Sequence, residues 1–251
     1  MSDTPAIEFE GVRRTFGRVV AVERVDLSLP SGSFVGLIGH NGAGKSTLLR
    51  MLTGLLLPTE GRVRVAGIDV HQEPRKARQV LGAVPERPAL YEYLTAREWL
   101  NFVAEVRGGA EAIDELLDAM DLSGDADRLI REFSQGMRRK AALAAALLGD
   151  PAVLVLDESL NGLDPPSAAR VKALLRRRVD AGATVVLSTH VVDTVEKVAD
   201  RVVMLAHGSV VADERTSDMV SGGLEALFLE RLEASHKRGR PDGSADSGPT
   251  L

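Results

Sequence analysis

The chain has 251 residues and a formal net charge of -5, with 44% hydrophobic and 27% charged residues. This composition is ordinary for a globular protein, and the length suits one large α/β domain or two small ones. The acidic balance argues against a nucleic-acid binder, and the absence of cysteine excludes disulfides, thiolate metal sites and cysteine nucleophiles.

The sequence predicts neither a secretory signal nor a membrane span. The opening residues, MSDTPAIEFEG, contain no basic segment followed by an apolar one. The longest apolar runs, such as 141–148, are much shorter than the roughly 20 residues that cross a bilayer. We therefore expect any membrane role to depend on a partner.

The first part of the chain is predicted to be β-rich and then to form a strand, a loop and a helix. Segments 7–16 and 19–29 have the composition of β-strands. The apolar run FVGLIG at 34–39 ends in glycine, and a helical stretch is expected from Lys45 to about Leu52.

A helical insertion and then alternating strands and helices are predicted for the rest of the chain. From Thr95 to Met120 the apolar residues recur at spacings of three and four, interrupted by two glycines at 108–109. A helix opened by Ser134 follows. The later strands are expected at 152–159, 183–190 and 201–208, with helices at about 165–181, 192–199 and 224–234. Such alternation is typical of a parallel sheet buried on both faces.

A phosphate-binding loop is predicted at GHNGAGKST, because Gly39, Gly44, Lys45 and Ser46 fit the pattern G-x-x-x-x-G-K-[ST]. The glycines let backbone N–H groups turn inward at a helix N-terminus, the lysine reaches the β and γ phosphate oxygens, and the hydroxyl serves Mg²⁺. The expected phosphate contacts are Asn41, Gly42, Gly44, Lys45, Ser46 and Thr47. The alternative is a glycine-rich turn with an exposed lysine.

Two carboxylates end the later strand AVLVLDE. We expect this strand to be a parallel neighbour of the phosphate-loop strand, which would bring Asp157 to the metal and leave Glu158 beyond it. Asp157 would hold Mg²⁺ through water, and Glu158 would orient and polarise the attacking water. The alternative is a pair of solvated acids at a strand end.

A histidine ends a third predicted strand, TVVLSTH. A lone histidine is more often structural than catalytic. His190, however, is expected at the sheet edge that also carries the phosphate loop and the two carboxylates, and ligands of open α/β sheets bind at this edge. We therefore include His190 among the catalytic candidates.

The helix opened by Ser134 carries cations where acidic residues are favoured. Arg138, Arg139 and Lys140 lie in its opening turns, beside the positive end of the macrodipole. Because the chain already has one phosphate cradle, we expect this helix to serve a nucleotide on a second subunit. Ser134 and Gly136 of one copy would contact the γ-phosphate held by the other, and the cations would be compensated by the triphosphate or by neighbouring acids.

Five motifs follow one another along the chain: GHNGAGKST, FSQGM, VLVLDE, SLNGLD and STH. In this order they resemble the Walker A, signature, Walker B, D-loop and switch-histidine motifs of the ATP-binding subunits of ABC transporters, with FSQGM in place of the commoner LSGGQ. The resemblance covers about residues 6–230. It implies an α/β fold: a P-loop NTPase core with a mostly parallel sheet, an N-terminal antiparallel β subdomain and an inserted α-helical subdomain.

The resemblance also implies boundaries and further site residues. One ATPase domain is expected at 1–234, with the helical insertion at about 87–149. The polar, Gly/Pro/Ser-rich composition of residues 235–251 separately predicts a disordered tail. Phe16 stands where the family places an aromatic ring on adenine, although a buried strand phenylalanine is the alternative. Asp164 of the D-loop is a further nucleotide contact. Glu86 replaces the usual glutamine, and its carboxylate still ligates Mg²⁺ while adding negative charge beside the triphosphate.

The implied function is to bind and hydrolyse ATP, with Mg²⁺, as a subunit that powers a membrane transporter. Together with NGLD and LEALFLERL, the residues Glu86 and Gln135 make the chain similar to the exporter branch. The expected partners are an integral-membrane permease, docked near Glu86 and the 95–120 insertion, and a second ATP-binding subunit, identical or different. No nucleic acid is expected. The expected location is cytoplasmic, on the inner face of the cell membrane.

Two alternatives of other classes remain at this point. One is a soluble ABC-family ATPase that acts on nucleic acid or ribosomes, although such proteins usually carry two cassettes or a long coiled coil. The other is a small-molecule kinase, which leaves FSQGM and NGLD without a role. The transported substrate cannot be read from this chain.

Overall fold

The computed structural model describes residues 4–218 and Leu224, which form two β-sheets and the helices around them. In chain order the strands are β1 (Ile7–Phe16), β2 (Val19–Leu29), β3 (Phe34–Ile38), β4 (Glu60–Val65), β5 (Ile68–Asp69), β6 (Leu81–Val84), β7 (Val153–Asp157), β8 (Thr184–Thr189), β9 (Arg201–Ala206) and β10 (Ser209–Arg215). The α-helices are α1 (Lys45–Leu52), α2 (Pro74–Val80), α3 (Ala96–Arg107), α4 (Ile113–Ala119), α5 (Gln135–Leu147), α6 (Pro165–Asp180) and α7 (Val192–Glu196).

The two sheets differ in strand direction. The first has the order β2-β1-β4-β5 and is antiparallel throughout. The second has the order β10-β9-β3-β8-β7-β6, and only β10 runs antiparallel to its neighbour. The predicted α/β fold, with an antiparallel β portion near the N-terminus and a mostly parallel sheet, is confirmed.

One predicted strand pairing is wrong. The phosphate-loop strand β3 pairs with β8 and β9, and the carboxylate strand β7 pairs with β8 and β6. Strand β8 therefore lies between β3 and β7, which are not direct neighbours. Because all three strands are parallel, their carboxyl ends still meet at one edge, and the distance between Lys45 Nζ and Glu158 Oε1 is only 3.9 Å.

The parallel sheet is buried on both faces. In β7, Leu154 and Leu156 face a core shared with the helices, whereas Val153 and Val155 face a second core shared with the antiparallel sheet. This alternation follows from the period-two geometry of a strand. It explains why the strands at the sheet centre appear in the sequence as continuous apolar runs.

Helices α3, α4 and α5 lie between β6 and β7 in the chain and pack on one another. Helix α3 begins with a capping box, in which Thr95 Oγ1 accepts from the Glu98 backbone N–H and the Glu98 carboxylate accepts from the Thr95 backbone N–H. It ends at Arg107 with Gly108 as its C-cap, as the paired glycines predict. Helix α7 is shorter than its predicted range and ends at Glu196.

The C-terminal predictions fall mostly outside the described residues. Of the helix expected at 224–234, only Leu224 is described: it is helical, fully buried, and its backbone N–H donates to Glu196 Oε1 at 3.3 Å. The tail expected at 235–251 lies outside the described residues altogether. Within residues 4–218 and Leu224, no helix combines the length and apolarity that crossing a membrane requires.

Gly82→Ala is expected to destabilise the protein by about 1–3 kcal/mol. Gly82 lies in β6 under helix α5, and an added Cβ would be 2.1 Å from the Ala146 carbonyl oxygen, so the backbone of one element would have to move. Denaturant unfolding measures the loss. Gly124→Ala is the matched control, because nothing lies within 4 Å of the Cβ that it adds. Equal stability of the two variants would contradict this close approach.

Candidate active site

A cleft of about 650 Å³ opens where the parallel strands β3, β7 and β8 end. It brings together most of the residues predicted for the site from distant parts of the sequence. The predicted residues that line it are Phe16, Asn41, Gly42, Gly44, Lys45, Ser46, Thr47, Glu86, Glu158 and His190. Unpredicted lining residues include Arg139 and Asn161.

The loop between β3 and α1 forms one wall of this cleft. Gly42 and Gly44 have φ values of 82° and 105°, a region that side-chain-bearing residues rarely adopt. A Cβ on Gly44 would also be 2.6 Å from the Ala21 carbonyl oxygen, so the loop approaches β2 closely. This backbone places the N-terminus of α1 in the cleft, with the geometry that binds phosphate through main-chain N–H groups.

Lys45 is the buried cation of the cleft. Its Nζ donates to the Gly39 carbonyl oxygen at 2.7 Å and lies 3.9 Å from Glu158 Oε1. Burial lowers the pKa of Lys45, and the nearby carboxylates of Glu158, Asp157 and Glu86 partly offset this effect. The ammonium therefore lies between the phosphate loop and the acidic side of the cleft.

Glu158 is held in an unusual backbone conformation by its surroundings. Its φ is +50°, which costs a residue with a side chain on the order of 1–3 kcal/mol. The Glu158 backbone N–H donates to Ser188, to the carbonyl oxygen at 3.2 Å and to Oγ at 3.1 Å. Its carboxylate accepts from Asn161 Nδ2 and from His190 Nδ1, the latter at 3.1 Å. These contacts fix both the backbone and the carboxylate, as a general base requires.

Asp157 is buried and lies behind the cleft rather than in its wall. Ser188 Oγ donates to its Oδ1, and Asp157 lines an adjoining cavity of about 260 Å³ together with Glu86. The described residues include no group of three or more His, Cys, Asp or Glu side chains that could hold a metal ion. The hard oxygens of Ser46, Asp157 and Glu86 nevertheless fit Mg²⁺, which binds one or two carboxylates and otherwise relies on water and substrate phosphates.

Phe16 lies at the end of β1 and is 47% exposed, so the alternative of a buried strand phenylalanine is wrong. The Arg14 guanidinium carbon lies 4.6 Å from the ring centroid. The apolar residues Val19, Val20 and Ala21 line the same part of the cleft. This exposed ring in an apolar wall suits a stacked base.

Ser134, Gly136 and Asp164 are not among the residues that line the cleft. Ser134 is the N-cap of α5, where its Oγ accepts from the Met137 backbone N–H at 3.2 Å. Asp164 is the N-cap of α6, and hydrogen bonds from Ser167 lower the pKa of Asp164. Contacts of these three residues with nucleotide stay predictions.

The cations in the opening turns of α5 reach other elements of the same chain. Arg138 Nη1 lies 2.6 Å from Glu92 Oε1, and Lys140 Nζ lies 3.6 Å from Asp121 Oδ2. Two of the three cations are therefore compensated by neighbouring acids, one of the two possibilities that the sequence left open. The third, Arg139, reaches the cleft and was not predicted as a site residue.

A phosphate loop opposite an oriented carboxylate, at the carboxyl edge of a parallel sheet, defines a P-loop nucleoside-triphosphate hydrolase. The profile of the ABC transporter family matches residues 22–161. The chain belongs to this family, whose ATP-binding subunits hydrolyse ATP to power transport.

The curated relatives include ATP-binding proteins named for drug resistance, for Nod factor export and for bacitracin transport. The chain is 36% identical to the daunorubicin/doxorubicin resistance ATP-binding protein DrrA of Streptomyces peucetius, over 99% of this chain and 77% of that protein. It is 38% identical to the Nod factor export ATP-binding protein I of Rhizobium sp. strain N33, over 90% and 76%. It is 31% identical to the bacitracin transport ATP-binding protein BcrA of Enterococcus faecalis, over 85% and 70%.

Solved structures agree with these relatives. An ATP-binding subunit of an ABC transporter matches with a TM-score of 0.85 and 30% identity, over 90% of this chain and 99% of that one. A bacterial ABC transporter cassette solved as a dimer matches with a TM-score of 0.78 and 26% identity, over 84% and 98%. The comparisons support an ATP-driven transporter subunit and not the soluble alternative.

Proposed function

We propose that the chain hydrolyses MgATP as one of two ATP-binding subunits that together drive an exporter. The observation that carries the proposal is the position of Ser134, which is exposed at the N-terminus of α5 but does not line the cleft of its own chain. Free N–H groups at such a terminus bind anions. A second subunit, identical or related, would supply the triphosphate that Ser134 and Gly136 contact.

The proposed roles follow the walls of the cleft. Residues 41–47 hold the phosphates, and Phe16 stacks on adenine. Glu158 polarises the attacking water, while His190 orients its carboxylate through Nδ1. Because both chains would touch the γ-phosphate, ATP binds the closed pair better than the open one, which is the condition for a ligand to drive closure.

The proposed metal is Mg²⁺, with Ser46, Asp157 and Glu86 as its protein ligands, directly or through water. When bound, it neutralises charge on the β and γ phosphate oxygens. Glu86 is exposed at the point where the cleft and the smaller cavity adjoin. Its negative charge beside the triphosphate weakens nucleotide binding when the metal is scarce.

The proposed membrane partner is a multi-span permease that docks beside Glu86 and the helical insertion. Support comes from exposed apolar side chains in this region, including Leu55, Tyr91, Tyr93 and Phe102. This contact would hold the chain on the cytoplasmic face of the cell membrane. The exporter assignment is supported by relatives named for drug resistance and Nod factor export.

The test is ATP-dependent dimerisation of a Glu158→Gln chain, which binds ATP without consuming it quickly. Light scattering is expected to show a dimer in saturating MgATP and a monomer without nucleotide. Adding Ser134→Asp is expected to abolish the dimer, because Asp still caps the helix but repels the γ-phosphate of the other subunit.

The matched control is Ser134→Asn in the same Glu158→Gln background. Asn caps a helix as well as Asp but carries no charge, so this chain is expected to dimerise. A monomer of Glu158→Gln with ATP bound, both alone and with its membrane partner, would contradict the proposed function. So would equal dimerisation of the Asp and Asn variants.

A further inference from the structure

Arg139 connects helix α5, called here the signature helix because it begins within the FSQGM signature motif, to Glu158, the proposed base of the same chain. Its Nη1 donates to the Glu158 carbonyl oxygen at 3.3 Å, and its side chain lines the cleft. The same Nη1 lies 3.7 Å from the Cβ that a side chain at Gly162 would place, so the guanidinium also packs on the turn after β7. Arg139 thus contacts the backbone segment on which Glu158 lies.

The neighbouring cations of α5 make contacts of another kind. Arg138 pairs with Glu92 and Lys140 lies beside Asp121, both of which are exposed carboxylates away from the cleft. Arg139 points instead at a main-chain oxygen. Among the described residues no ion pair of Arg139 is formed, so pairing with an acidic side chain there does not account for this cation.

The hydrogen bond from Arg139 reaches the backbone where it has the unusual left-handed conformation of Glu158. The Glu158 carbonyl oxygen accepts from Arg139 and also from the Asn161 backbone N–H at 3.1 Å. It directly follows the left-handed φ of Glu158, while Asn161 Nδ2 donates to the carboxylate of the same residue. Rotation of this peptide would turn the carboxylate relative to His190 and the cleft.

We propose that Arg139 is a positioning residue that holds Glu158 in its hydrolytic orientation. The inference rests on the proposed function, because it takes Glu158 as the base. Each signature helix then serves two nucleotides: its N-terminus contacts the triphosphate on the partner, and Arg139, one turn further on, sets the base beside the nucleotide of its own chain. Movement of one helix therefore affects both sites.

The test separates kcat from KM in steady-state ATP hydrolysis by the full chain. Arg139→Ala is expected to lower kcat roughly ten- to hundredfold, because small misplacements of a reacting group have effects of this size. KM and the equilibrium affinity for ATP are expected to change less than about threefold. Arg139→Lys retains a cationic donor and is expected to recover part of kcat. Arg138→Ala is the matched control with normal kcat.

A double variant makes the test specific to Glu158. Residues that act as a unit are strongly non-additive, so Arg139→Ala is expected to have little further effect on the residual rate of Glu158→Gln. Full additivity would overturn the proposal. A raised KM with normal kcat would also overturn it, since Arg139 would then bind nucleotide directly.

The thermal unfolding midpoint of each variant checks the fold. If Arg139→Ala does not fold, Arg139→Met replaces it, because Met keeps the aliphatic stem without an N–H donor, and it is expected to show the same loss of kcat. Normal kcat in the variant that folds would overturn the inference. The proposed function fails by a different result, a Glu158→Gln chain that stays monomeric with ATP bound, both alone and with its membrane partner.

Discussion

Glu158→Gln is expected to bind ATP and to hydrolyse it at least a hundredfold more slowly than the unaltered chain. The amide has nearly the shape of the carboxylate and keeps contact with Asn161, but it cannot accept a proton from water. Positioned acid and base groups typically contribute 10²–10⁴-fold to a rate, so a loss of this size is expected for the base itself. Lys45 and the phosphate loop remain intact, which is why binding is retained.

Single-turnover hydrolysis and equilibrium binding of ATP measure the two effects separately. Glu115→Gln is a suitable control, because Glu115 is exposed on α4 and does not line the cleft. It removes the same charge from the chain and is expected to hydrolyse ATP normally. Near-normal turnover by Glu158→Gln would remove Glu158 from the mechanism.

Lys45→Ala is expected to weaken ATP binding by about ten- to hundredfold, the size of a lost hydrogen bond to a charged group. The ammonium is buried next to the phosphate loop and close to Glu158, so its removal takes away a phosphate contact and leaves the acidic side of the cleft without its nearest cation. Both changes disfavour a polyanionic ligand.

Isothermal calorimetry with MgATP gives this affinity directly. Lys76→Ala is the matched control. Lys76 is exposed on α2, pairs with Glu73, and lies far from the phosphate loop in the sequence. Unchanged affinity in Lys45→Ala would contradict the assignment of the phosphate loop. Changed affinity in both variants would point to a general effect of net charge.

The strength of local signals decided which elements could be predicted. The central strands were found because both faces are buried, which makes their sequences continuously apolar. By contrast, β4 buries only Val63 and Val65, and α2 buries only Ala77, so neither produces a recognisable run. The short strand β5 and the edge strand β10 were missed for the same reason. Strand β6 is mostly buried but has only four residues, too few to give a recognisable run.

The order of the strands in the parallel sheet could not be predicted from the sequence. Apolar runs show that β3, β7 and β8 are buried, but not which of them lies in the middle. The wrong pairing did not displace the predicted site, since every parallel strand delivers its last residues to the same edge. Motif spacing therefore predicted the residues of the cleft better than it predicted which strands lie next to one another in the sheet.

The contacts that orient the site depend on long-range folding. Ser188 and Asn161 lie within the recognised motifs STH and SLNGLD, so their positions could have suggested a role. Their hydrogen bonds to Glu158 form only when strand β8 packs beside β7 and the turn between β7 and α6 folds back towards Glu158. Arg139 gave one signal, a cation at the wrong end of a helix, but the sequence did not show where it points.

The apolar surroundings of Phe16 bear on which nucleotides the chain accepts. Val19, Val20 and Ala21 offer no side-chain donor or acceptor for the edge of a purine, and every base can stack on an aromatic face. If the base stacks on Phe16 as proposed, this wall distinguishes adenine from guanine only weakly, and the triphosphate supplies most of the recognition. Which triphosphate is hydrolysed in the cell, ATP or GTP, would then follow the relative concentrations of the two nucleotides.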